Sequence, residues 1–226
     1  MKNKAYIGIS FIILIFGIIV VPRVIDRIKN GSVVQNDRMS YKNEITKDTT
    51  LVVIGPAPKF EFIDQNNATI TNQDYAGKVY VLEFFFSTCP SICPIMNKNM
   101  RSIEDDFGKF DDFGIASITI NPANDTPKVL LQHAKDLAVT SKNWHFLTGD
   151  LSQVLKLSNE GFKIYGAQNE KVVGGFEHSG LFALIDKNGN IRCRKDEFNN
   201  PILYYDGLDS KGIKAIKEDI KLLLEE

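Results

Sequence analysis

GKVYVLEFFFSTCPSICPIMNKNM, residues 77–100, is the stretch that decides the fold. Its first ten residues are β-branched and aromatic and become apolar on both faces. That is the pattern of a central strand covered on both sides. From Pro94 onward, Met96, Met100, Ile103 and Phe107 recur at spacings of 4, 3 and 4. Such spacing lines one face of a helix. Between strand and helix sit Cys89 and Cys93, beside Pro90 and Pro94. In open α/β sheets chemistry gathers at the carboxyl ends of the strands, so position alone lifts this pair above core filler.

The pattern continues on both sides. KFEFID, residues 59–64, alternates apolar and polar like a half-buried strand, and QNNATI, 65–70, turns it back. GIASITI, 114–120, reads as another buried strand. NDTPKVLLQHAKDLAV, 124–139, opens on capping residues with Pro127 in the first turn and runs helical. WHFLTG, 144–149, is a short strand, and Asp150 caps a helix expected over 151–162. GLFALID, KNGN and IRCRKD give a hairpin over 180–196. Ile213, Ile216, Ile220, Leu223 and Leu224 line a C-terminal helix. Strands alternating with helices predict an α/β fold with helices on both faces of the sheet.

The chain has 226 residues, 43% hydrophobic and 24% charged, with a net charge of −1. That is ordinary globular composition, and the balance gives no reason to expect nucleic acid. Three cysteines do not make a disulfide-stapled mini-protein. The N-terminus is different. AYIGISFIILIFGIIVVP, residues 5–22, is 18 residues without a charge, at the short end of the roughly 17–25 that cross a bilayer as a helix. It ends in VVPRVI, without the small-x-small pattern of a cleaved signal peptide, and no cysteine follows closely enough for lipidation. The expectation is an uncleaved transmembrane anchor over residues 1–29. Lys2 and Lys4 precede the span while Arg23, Arg27 and Lys29 follow it, so loop charge leaves its orientation open. Residues 30–50 are polar and aperiodic, a linker, and residues 51–226 form the folded domain.

Three readings of the cysteine pair stand side by side. Two small buried residues are the plainest. A helix N-terminus, however, lowers a thiol pKa, because its free N–H groups and dipole favour thiolate. Thiolate both attacks disulfides and binds metal. Cys-x-x-Cys would indicate a thioredoxin-like redox motif; here Pro90, Ser91 and Ile92 intervene, which opens the site for a metal. Two thiolates suit Cu(I), whereas structural zinc wants four closed ligands. The candidate third ligand is His178, in GGFEHSG, a loop returning to the same sheet edge, with Cys193 the less favoured alternative; Glu177 is a candidate to orient His178. His133 lies within a helix and His145 within a strand. Cys193, in phase with Ile191, reads as core, as do Met96 and Met100. As a redox pair, Cys89 would attack a client disulfide and Cys93 resolve it. No proline lies between Pro127 and Pro201, whereas a thioredoxin-type reductase carries one beside its cysteines. A peroxidase would want an arginine near the thiol; the nearest, Arg101, is a turn or two down the helix.

FFFSTCPSICPIM (84–96), NPANDTPKVL (121–130), WHFLTGD (144–150) and EHSGLFALIDKNGNI (177–191) occur in one order along the domain. Together they resemble the Sco/SenC family of copper-binding cytochrome c oxidase assembly factors. The resemblance implies a thioredoxin-like fold with a central mixed sheet flanked by helices. It implies Cys89, Cys93 and His178 as copper ligands, with Cu(I) or Cu(II) as the metal. It also implies an N-terminal membrane anchor with the domain outside the cytoplasm, on the periplasmic face in a bacterium. The implied partners are the copper-site subunit of cytochrome c oxidase and other thiol-disulfide proteins or copper chaperones. Asn121 stands where the family usually has aspartate, while Asp125 is kept.

Overall fold

The computed structural model describes residues 10, 13–22 and 50–226. The chain divides into two units, Met1–Asp48 and Thr49–Glu226. In the first, residues 13–22 are helical. Among the described residues no helix is long and apolar enough to cross a membrane. The expected anchor, 1–29, falls within the description only at residues 10 and 13–22, and the expected linker, 30–50, only at Thr50.

The second unit is built on a nine-stranded mixed sheet. Its strands are β1 (Val52–Pro56), β2 (Glu61–Asp64), β3 (Thr69–Thr71), β4 (Val79–Phe85), β5 (Phe113–Thr119), β6 (Trp144–Thr148), β9 (Leu181–Ile185), β10 (Asn190–Cys193) and β11 (Tyr205–Asp206). The order is β1-β10-β9-β4-β5-β6-β2-β3, with β11 paired to the far end of β9. β4, β5 and β6 are parallel; the other pairs are antiparallel. β7 (Gly166–Gln168) and β8 (Phe176–His178) form a separate two-stranded ribbon.

β4 is the centre of the sheet, and all seven of its residues are buried. Alternate side chains of this strand point to opposite faces. Phe84 meets Phe162 on one face, and Phe85 stacks on His133 of α2 (Pro127–Asp136) on the other. Both faces are therefore covered by helical segments, which is why the strand reads as continuously apolar. α1 (Cys93–Phe107) buries Met96, Met100 and Ile103 completely and packs against the C-terminal helix α4 (Ser210–Glu225). Each such side chain contributes about 1.5–3 kcal/mol by leaving water.

The helix expected over 151–162 is present but changes character. α3 (Leu151–Lys156) starts at Asp150, whose carboxylate accepts from Gln153 N–H, and a π-helical segment Leu157–Phe162 continues it. Polar side chains cause the change. The Ser158 hydroxyl donates to the Ile164 carbonyl, and Asn159 bonds both the N–H and the carbonyl of Gly166. These bonds pull the chain out of α geometry and lead it into β7.

Candidate metal centre

The last ladder bond of β4 is Ile120 N–H to the Phe85 carbonyl, 2.8 Å. Beyond it the chain leaves the sheet and turns, with Cys89 N–H donating to the Phe86 carbonyl at 3.2 Å. α1 then begins at Cys93 with Pro94 in its first turn, and its N-cap, Ile92, has no side chain to satisfy the free N–H groups. The Cys89 sulfur lies near this end, against the N–H groups of Cys93 and Ser91, with the Ser91 hydroxyl 3.6 Å away.

His178 arrives from another part of the chain. β8 pairs with β7 so that His178 faces Gly166. The turn before it uses Gly174, whose φ is +95° and whose added Cβ would lie 3.0 Å from the Phe86 ring. A side chain there would meet both backbone strain and the aromatic floor of the site. The Phe86 ring in turn holds the His178 imidazole edge-to-face, centroids 5.7 Å apart.

The result is one cluster. A sulfur of Cys89, a sulfur of Cys93 and a ring nitrogen of His178 all lie within 4.8 Å of one another. His178 Nε2 is 3.1 Å from Cys93 Sγ, and Nδ1 is 3.2 Å from the Ser179 carbonyl. A carbonyl only accepts, so Nδ1 carries the proton and Nε2 presents its lone pair to the sulfurs. Burial lowers the His178 pKa against the Ser179 hydrogen bond, keeping the ring neutral.

The two thiols are not equivalent. Burial pushes Cys89 up, but the N–H groups of Cys93 and Ser91, with the Ser91 hydroxyl, outweigh it and leave the pKa lowered. Burial pushes Cys93 well above the ordinary thiol range, opposed by a backbone hydrogen bond from Phe86 and reinforced by Cys89 and Glu83. The helix N-terminus therefore activates Cys89 alone, which corrects the expectation that it would lower both. All three cysteines are free thiols.

The donor set fits copper. Two soft sulfurs with one imidazole suit Cu(I) and, with a further ligand, Cu(II). A closed zinc site would need a fourth protein donor, and among the described residues no other His, Cys, Asp or Glu joins the group.

Other candidates lie elsewhere. Cys193 is fully buried on β10, and Met96 and Met100 are core. His145 pairs with Asp64 at 3.1 Å, and His133 stacks on Phe85 and meets Phe146 edge-to-face. Glu177 does not orient His178: its carboxylate accepts from Tyr165 and Asn169, and the Ser179 carbonyl does the orienting. Arg101 pairs with Glu104 and Asp105 rather than with a thiol, which removes the peroxidase reading. Asn121 acts through its backbone: its carbonyl accepts from Asn124 and Asp125, and its N–H donates to Thr119. Its side chain makes no hydrogen bond among the described residues.

Glu83 is a further buried group behind the site that no motif marks. It is fully buried on β4, with one oxygen accepting from the Ser117 hydroxyl and the other without a partner among the described residues. The signal was available, as a lone acid inside a run of apolar residues.

Residues 55–210 match the family model described as SCO1/SenC. The chain belongs to the SCO1/SenC family. Among its relatives, the SCO1 protein homolog of Bacillus subtilis is 27% identical over 167 residues, 72% of this chain and 79% of that protein. A SCO1/SenC family lipoprotein from Bacillus anthracis has a crystal structure 27% identical to this chain. Its TM-score is 0.65, over 75% of this chain and 95% of that one. Yeast Sco1 with copper bound is 25% identical, TM-score 0.55, over 74% and 89%. Family membership accords with the mixed sheet and the thioredoxin-like fold expected from the motifs.

Proposed function

We propose that this SCO1/SenC protein is a membrane-tethered copper-binding assembly factor. It carries copper as cargo to the binuclear copper site of cytochrome c oxidase, or prepares the cysteines of that site to receive it. The observation that carries the reading is the convergence of Cys89, Cys93 and His178 within 4.8 Å from segments 85 residues apart in sequence. These three residues are the proposed ligands. Copper, when bound, supplies a redox-active ion that thiolates hold as Cu(I) and that imidazole helps hold as Cu(II). Cys89 is the more open and more acidic sulfur, the one poised to meet an incoming ligand from a partner; Cys93 is the deeper anchor. A structure described as belonging to the Sco family of cytochrome c oxidase assembly proteins shares the fold.

The proposed organisation is an anchor over 1–29, a linker over 30–50 and the copper-binding domain over 51–226. The domain lies outside the cytoplasm, on the periplasmic face in a bacterium. The uncharged run 5–22 and the motif resemblance support this. The partners are the copper-site subunit of the oxidase and, upstream or alongside, thiol-disulfide proteins or copper chaperones. A pure thiol-disulfide oxidoreductase using the Cys89/Cys93 pair is not favoured, since such chemistry leaves His178 without a role.

The test is genetic. Removing the protein from its organism is expected to lower cytochrome c oxidase activity. Wild type should restore that activity, and His178→Ala should not. Full restoration by His178→Ala would overturn the assignment of the site.

A further inference from the structure

Asp125 is fully buried and no cation pairs with it among the described residues. Its two carboxylate oxygens instead collect four donors. Ser87 gives its N–H at 3.0 Å and its hydroxyl, Thr119 gives its hydroxyl, and Asn124 gives its side-chain N–H at 2.8 Å. Asn124 also bonds the Ser87 hydroxyl at 3.2 Å. The donors come from three places: the segment after β4, the end of β5 and the loop before α2. Burying a charge without a counter-ion is costly and is weak evidence for stability. Well-satisfied polar networks rigidify what they hold.

What this one holds is the root of the cysteine turn. Past Phe85 the sheet no longer supports the chain. Before α1 begins, the Cys89–Phe86 turn bond and the Cys89–Ser91 sulfur contact are local to the turn, whereas Ser87 bonds outward to Asp125 and Asn124. Beside the Phe86 ring contacts with Phe176 and His178, the Ser87 bonds tie the turn to the end of β5 and the loop before α2. Two residues after Ser87 comes the more open sulfur of the site.

We infer that Asp125 is a positioning residue for the metal centre: through Ser87 it fixes where Cys89 stands relative to Cys93 and His178. The inference rests on the copper-site reading above. Asp125→Asn is the informative change, because it keeps the shape but sets an N–H₂ among groups that are all donating. Positioning groups behind a metal ligand typically cost about 10–100-fold in affinity when altered.

The experiment uses the full-length protein in detergent, as wild type, Asp125→Asn, Ser87→Ala and Asp64→Asn. Asp64 is another buried aspartate, on β2, and controls for the loss of a buried carboxylate. Two quantities are read: Cu(I) affinity against a chromophoric chelator, and the metal-free Cys89/Cys93 dithiol–disulfide equilibrium against a dithiothreitol redox buffer. Asp125→Asn is expected to lose about 10–100-fold in affinity. The dithiol equilibrium should move at least tenfold, about 30 mV, with Asp64→Asn unchanged in both. If Asp125→Asn does not fold, Ser87→Ala carries the test, with smaller shifts in the same two quantities. Folded variants within twofold of wild type in both would overturn the inference. Failure of wild type to bind copper would sink the functional reading instead, and the redox equilibrium would still decide the role of Asp125.

Discussion

The Cys89 sulfur lies against the N–H of Cys93, the first residue of α1, and that of Ser91 just before it, whereas Cys93 is the more deeply buried thiol. Thiolate is the reactive form, so the direction of the two shifts orders their reactivity. In the metal-free reduced protein at pH 7.5, iodoacetamide is expected to alkylate Cys89 well before Cys93 or the buried Cys193, as read by peptide mass spectrometry; equal rates at Cys89 and Cys93 would contradict this. Glu83 gives a second prediction. Burial pushes its carboxyl up from 4.5 to about 7 against the Ser117 hydrogen bond. Between those values the folded chain keeps a proton that the unfolded chain has released. Stability therefore falls as pH rises through that window and levels above it, by about 3 kcal/mol in all. Glu83→Gln lacks this group and should gain about that much relative to wild type between pH 4.5 and pH 8 in denaturant unfolding. An identical pH slope in the variant would contradict the burial account.

α1 connects the site to the core through one face. Met96 and Met100 are completely buried on it, so they are packing residues rather than thioether ligands. Met100→Ala should cost about 2–5 kcal/mol of stability while leaving copper stoichiometry at wild type; a lost copper site in a still-folded variant would contradict it. Elements with one dominant period were legible in the sequence. β4, β5, α1, α2, the β9–β10 hairpin and α4 each declare themselves by hydrophobic spacing. β1 did not, because VVIGP is an edge strand with exposed Val53 and Ile54, a register shift at Gly55 and a closing proline. β7, β8 and β11 are two or three residues long, too short for a period to show. The π-helical half of 151–162 depends on side-chain bonds to residues not yet in the helix. The site shows the same division. Residue type and position at a strand end marked Cys89, Cys93 and His178. The Asp125–Ser87 network and the tautomer set by Ser179 are tertiary contacts that no local pattern carries.

On the scale of the whole molecule, the sheet and the site belong to one unit, Thr49–Glu226. The proposed anchor lies before it. The full chain should therefore sediment with membranes and resist high-salt and carbonate extraction, while a chain starting at Thr49 should stay in the supernatant. Extraction of the full chain by salt would count against the anchor. Copper bound per chain is the direct test of the three-residue site. Wild type, fully reduced and then titrated with Cu(I) or Cu(II), is expected to hold one copper. In the cupric form it should show thiolate-to-copper charge-transfer absorption that His178→Ala abolishes. Weak binding indifferent to His178, with a readily cycling Cys89–Cys93 disulfide, would contradict the account and leave a thiol-disulfide protein in its place.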